Sequence, residues 1–141
     1  PHASADEITA LLTEFGLAEH AQHFPGELSL GLARRVALAR ALAVTPDLLL
    51  LDEPLVSLDA ARAKDLREKI AALIEERRIT TLIVTHDLRE AIELADRVFL
   101  LSPRPAHVIA TLDIETPRGR MTPQQAATLE AQAMAALGHK K

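Results

Sequence analysis

Two short apolar runs constrain the fold more than any other feature of this chain. A strand is read at residues 47–52, running through "LLLL" to Asp52, and a second at the β-branched "TTLIVTH", residues 80–86. Runs this short and this uniformly apolar read as strands buried on both faces rather than strands with one wet side. Between them, Leu66, Ile70, Leu73 and Ile74 recur at helical spacing, which predicts a helix over about 60–77 with Asp59 as its cap. Strand, long helix and strand in that order imply a parallel pair, and hence an α/β fold whose sheet carries helices on both faces.

The flanking segments fit that frame. Ser4 and Glu7 form a capping box before Ile8, Leu11, Leu12 and Phe15, and Gly16 suits the end of that helix. Residues 17–27 read as a connection punctuated by Pro25 and Gly26. Ser29 then caps a helix with Leu32, Val36, Ala39 and Ala43 on one face, stopping before Pro46. Asp87 and Glu90 are candidate caps of a helix that turns Leu88, Ala91, Ile92 and Ala95 inward. "RVFLLS" and "AHVIATLDI" predict two strands joined by a turn at 103–105. After a linker at 117–120, Thr122 caps a last helix, with Pro123 in its first position and Gly138 just beyond its end.

Composition narrows the function. The 141 residues carry a net charge of −4 without a basic stripe, so the electrostatic footprint of a nucleic-acid binder is missing. Phe15, Phe24 and Phe99 are the only aromatic residues of the Phe, Tyr and Trp class, which disfavours a stacking surface for bases or sugars. With no cysteine, disulfides and thiolate metal sites are excluded. No apolar run approaches the roughly 20 residues that span a bilayer. The first residues carry acids and lack the apolar core of a signal peptide.

Ligands of open parallel sheets sit outside the carboxyl ends of the strands. Asp52 and Glu53 end the first strand and His86 ends the second, so an acid pair and an imidazole are expected at one sheet edge. Either feature alone is an ordinary polar strand end. Together they suit phosphate chemistry.

These residues carry a resemblance. "LSLGLARRVALARAL" (28–42), "LLLLDEP" (48–54), "SLD" (57–59) and "VTHD" (84–87) resemble, in order and spacing, the signature motif, Walker B strand, D-loop and switch histidine of the ATP-binding-cassette ATPases. The match covers about residues 5–102. The tail "LLSPRPAHVIATLDIETPRGR" is similar to the ATPase subunits of nitrate, sulfonate and taurine importers. The resemblance implies that Asp52 holds Mg²⁺ through its coordination shell, that Glu53 orients or deprotonates the attacking water, and that His86 contacts the γ-phosphate of ATP. It further implies that Ser29 and Gly31, at a helix N-terminus, face ATP bound by a second ATPase subunit in a head-to-tail dimer. Asp59 would meet that facing subunit. The implied partners are transmembrane permease subunits and, indirectly, a solute-binding protein, at the cytoplasmic face of a bacterial membrane. Residues 5–25 are the expected docking neighbourhood.

The sequence departs from the family pattern at Leu30, where glycine is usual, and at Leu32, where glutamine is usual. A slower site is expected. None of Gly16, Gly26, Gly31, Gly119 and Gly138 precedes a lysine, so the chain carries no Gly-Lys-Ser/Thr phosphate loop. The expectation is the second part of a P-loop NTPase-like nucleotide-binding domain. Residues 1–45 would form part of the helical subdomain, residues 46–116 the Walker B, D-loop and switch region, and residues 117–141 a linker and C-terminal helix. A catalytically inactive interaction module and a non-transport ATPase of the same family remain as alternatives.

Overall fold

The computed structural model describes residues 3–56, 58–116 and 118–138; Ser57 of the 57–59 motif and Pro117 of the linker lie outside them. The chain divides into two compact units, one running to Leu82 and the other from Ile83.

The first unit begins with α1 (Ala5–Glu14), whose capping box from Ser4 and Glu7 forms as the sequence predicts. Leu11, Phe15 and Leu17 are buried behind it, whereas Ile8 is exposed. Gly16 ends the helix with φ +63°, a left-handed conformation that glycine adopts without a side-chain clash. The connection contains short 3-10 turns at Ala18–His20 and Pro25–Glu27. Helix α2 (Leu30–Leu42) follows, capped by the Ser29 hydroxyl, and packs on α1. Its buried residues are Leu38, Ala39 and Leu42; of the expected Leu32–Val36–Ala39–Ala43 stripe only Ala39 is fully buried, and the other three are half-buried. The buried face thus lies nearer the C-terminal half of α2, while its first turn stays accessible.

Strand β1 (Leu48–Asp52) leads through the 53–59 segment to α3 (Ala60–Arg77) and then β2 (Thr80–Val84). Leu66, Ile70, Leu73 and Ile74 are buried on α3 as expected. Arg78 ends α3 in the left-handed region at φ 51° and returns its N–H to Ile74 O. Strands β1 and β2 are hydrogen-bonded neighbours, and Thr80 N–H donates to Asp47 O at 3.2 Å. That bond joins the starts of both strands, so they run parallel. Coverage on both faces is not observed. Leu49 is buried, but Leu50 is 65% exposed and Leu48, Leu82 and Val84 are also exposed. A strand turns alternate side chains to opposite faces, and among the described residues the second face is open.

In the second unit, α4 (Leu88–Leu94) is followed by β3 (Arg97–Leu101) and β4 (Val108–Asp113), an antiparallel hairpin with a register shift at Leu100/Leu101. Cross-strand partners Arg97 and Asp113 form an ion pair at 2.6 Å. Helix α5 (Pro123–Gly138) includes Gly138, one position later than expected. Ile92, Val98, Leu100, Ile114 and Ala133 form the core of this unit, bringing together α4, the hairpin and α5. Arg118 ties the linker down by donating from Nε to Leu94 O at 2.7 Å and pairing with Asp96.

Candidate functional site

Five of the six singled-out residues belong to the first unit. Ser29 precedes α2 with extended backbone, and its Oγ accepts the Leu32 N–H at 3.3 Å. A hydroxyl that accepts one bond still has its own proton to donate, so capping and anion contact are compatible. The first turn of α2 offers backbone N–H groups and the positive end of the helix dipole, with Ser29 and Leu30 exposed. Gly31 lies against the 53–59 segment. A Cβ built on it would come within 3.2 Å of Leu58 Cδ2, so a close approach and not a special backbone angle accounts for glycine there.

Asp52 is the exposed last residue of β1. Glu53 follows it, half-buried, with φ 48°. The left-handed region is sparsely populated by residues other than glycine and asparagine, at a cost on the order of 1 kcal/mol, and such residues concentrate at functional sites. The turn is secured by Val56 N–H to Glu53 O at 3.4 Å and Leu58 N–H to Leu55 O at 3.3 Å. It is also held from α2. Arg34 donates from Nη1 to Glu53 O at 3.4 Å and to Val56 O. Motif reading passed over Arg34; its only signal is a basic residue where the helix face turns inward.

Asp59 is the N-cap of α3, with Oδ1 accepting the Arg62 N–H at 3.0 Å and an exposed ion pair to the same side chain at 3.3 Å. The capping role expected for it is therefore formed.

His86 belongs to the second unit, exposed in the bend between β2 and α4. The frame around it is local. Asp87 caps α4, accepting Arg89 N–H at 2.9 Å and Glu90 N–H at 3.1 Å. Thr85 Oγ1 accepts the Asp87 N–H at 3.0 Å and donates to Glu90 Oε2 at 2.8 Å. Of the two candidate caps, Asp87 takes the role and Glu90 does not. Glu90 is 2% exposed and holds the loop from beneath.

Among the described residues, no three His, Asp or Glu side chains gather into a metal-binding group. Mg²⁺ does not need such a cage: it takes one or two carboxylates and completes its shell with water and substrate phosphates. An exposed aspartate at the carboxyl end of a parallel strand fits that donor set.

Comparison with known proteins follows the same lines. Residues 2–56 match the family described as ABC transporter. An aliphatic sulfonates import ATP-binding protein of Burkholderia thailandensis is 46% identical over 115 residues, covering 82% of this chain and 34% of that protein. One of the same description from Agrobacterium fabrum is 46% identical, covering 91% of this chain and 49% of its own length. A bicarbonate transport ATP-binding protein of Synechocystis is 44% identical, covering 84% of this chain and 19% of that protein. The chain thus spans half or less of the length of these curated relatives. Among solved structures, a dimeric ATP-binding cassette in a post-hydrolysis state bound to ADP and Pi aligns with a TM-score of 0.70 at 30% identity, covering 82% of this chain and 51% of that one. An inward-facing metal-chelate type transporter, at 22% identity and a TM-score of 0.69, shares the fold. The agreement of strand order, capped signature helix and relatives leads to one conclusion: this chain belongs to the ATP-binding-cassette family of transporter ATP-binding proteins.

Proposed function

We propose that the protein carrying this chain is the ATP-hydrolysing subunit of an importer and couples hydrolysis to uptake of a small anionic solute of the sulfonate class. The single observation that carries the hydrolytic reading is the end of β1, where exposed Asp52 is followed by Glu53 in a left-handed turn. A nucleotide hydrolase needs a carboxylate that can orient or deprotonate water beside a carboxylate that a cation can share, and the adjacent pair supplies both types of group. The names of the sulfonate and bicarbonate relatives support the importer class.

In this reading Glu53 accepts the proton of the attacking water or orients it, and the Asp52 carboxylate would hold Mg²⁺. When bound, Mg²⁺ supplies positive charge to the β and γ oxygens. His86 donates to the γ-phosphate as charge develops there. Ser29 and the first N–H groups of α2 receive the phosphate of ATP held by a second ATPase subunit in a head-to-tail dimer, and Asp59 faces that subunit. Permease subunits hold the dimer peripherally at the cytoplasmic face of a bacterial membrane. No helix among the described residues is long and apolar enough to cross it.

The test is Glu53→Gln in the full-length protein assembled with its membrane subunits. The amide keeps the shape of the side chain and takes no proton. Phosphate release should fall by about 10²–10⁴-fold while ATP binding persists and ATP-bound dimers accumulate. Turnover at the parental rate would sink the reading.

A further inference from the structure

We propose that Arg34 is a positioning residue for Glu53, fixing the direction of the hydrolytic carboxylate from the signature helix of the same chain. The inference rests on the role proposed above for Glu53.

The residues from 53 to 56 form a turn whose opening residue sits at φ 48°, although it is neither glycine nor asparagine. Such a conformation persists only where its surroundings over-determine it. Two donors converge on the Glu53 carbonyl: Val56 N–H at 3.4 Å and Arg34 Nη1 at 3.4 Å. The same guanidinium nitrogen donates to Val56 O, so one half-buried cation grips both ends of the turn. A guanidinium is always charged and presents several donors in a rigid fork, which suits it to hold two carbonyls at once. Holding the peptide that follows Glu53 fixes its backbone angles, and these set the direction of its Cα–Cβ bond. One turn earlier on α2, Gly31 lies against Leu58. Helix α2 therefore touches the segment at both ends, and displacement of its first turns is passed to Glu53 through the backbone.

The chemistry predicts a loss in the catalytic step and not in nucleotide affinity, because the Arg34 guanidinium donates to the backbone of the 53–56 turn and acts through the placement of Glu53. In the assembled full-length transporter, Arg34→Ala should lower kcat by roughly tenfold to a hundredfold, with KM for ATP unchanged. Arg34→Lys should recover part of the rate, since an ammonium can donate to one carbonyl but cannot reproduce the fork. Arg34→Met keeps the apolar stem of the side chain and should lose rate as alanine does; it takes over the test where the alanine variant does not fold. Combined with Glu53→Gln, Arg34→Ala should leave the accumulation of ATP-bound dimers unchanged.

Parental kcat in a folded Arg34→Ala or Arg34→Met variant would overturn the inference. So would a rise in KM matching the fall in kcat/KM, or loss of ATP-bound dimers in the double variant. Should Glu53→Gln itself turn over normally, the role of Glu53 fails first and the inference falls with it. If Glu53→Gln is inactive while Arg34→Ala is not, only the inference fails.

Discussion

After β1 the chain turns at Glu53 into left-handed backbone and is gripped by Arg34, 19 residues earlier in sequence on another helix. After β2 it passes Thr85, His86 and Asp87 with no positive-φ residue, and Thr85 bonds to Asp87 and Glu90 within five positions of chain. The first loop is strained and gripped from a distance; the second has no positive φ, and the bonds of Thr85 and Asp87 are local. The contrast suits different tasks. A loop gripped by another helix registers the movement of that helix, whereas the Thr85 and Asp87 bonds of the second loop staple it to the start of α4.

The largest expected effect that bears on this contrast is His86→Ala. Phosphate release by the assembled protein should fall by about 10²–10³-fold through lost stabilisation of the developing γ-phosphate charge. Thermal unfolding should stay close to the parent, because the Thr85, Asp87 and Glu90 bonds remain. A large fall in melting temperature would break the comparison, since the imidazole would then be part of the staple.

Thr85→Val comes next and reverses the pattern. It removes the hydroxyl that links the Asp87 N–H to the buried Glu90 carboxylate, leaving a buried acceptor without that donor. Destabilisation of about 1–3 kcal/mol is expected from the denaturant midpoint. No change in midpoint would show that the second loop does not depend on its local staple.

The smallest effect serves as a control outside both loops. The Glu7 carboxyl is held below its ordinary value chiefly by the Ser4 backbone N–H, at 2.7 Å, and then by the Ser4 hydroxyl. A lowered pKa in the folded state means that the capping box contributes stability above the ordinary pKa of 4.5 and loses it as pH falls through the lowered folded value. Helicity of α1 should therefore decline slightly over that acidic range, and Glu7→Gln, which removes the titrating group, should flatten the decline. Circular dichroism during acid titration reads it. An equal decline in the variant would remove the carboxylate from the cap.

How much of this was legible in the sequence follows the same division. Features built from neighbours were readable: the Ser4–Glu7 box, the Asp59 cap with the Leu66–Ile70–Leu73–Ile74 stripe, the Asp87 cap, and the hairpin around 103–105. Each rests on bonds or periodicity within a few residues. Features that depend on distant partners were not. Nothing in "DEPLV" announces positive φ at Glu53, because no glycine or asparagine marks the position. Arg34 lies within the expected signature motif, yet its grip appears only when α2 and the 53–56 turn are folded together. The apolar runs were read as strands covered on both faces, but composition cannot say what lies against a face, and the structure leaves one open. Glu90 reads as a candidate cap in the sequence, whereas in the structure it bonds to Thr85 in the interior.

The contact between Gly31 and Leu58 has a consequence for heredity. A methyl group at position 31 would crowd a leucine methyl across the gap at 3.2 Å, so the two positions share one allotment of space. Enlargement at 31 requires the Leu58 side chain to give by a few tenths of an ångström, and a smaller residue at 58 removes that demand. In a suppressor screen, Gly31→Ala would be rescued first by a smaller residue at position 58, far away in the gene and adjacent in the folded chain.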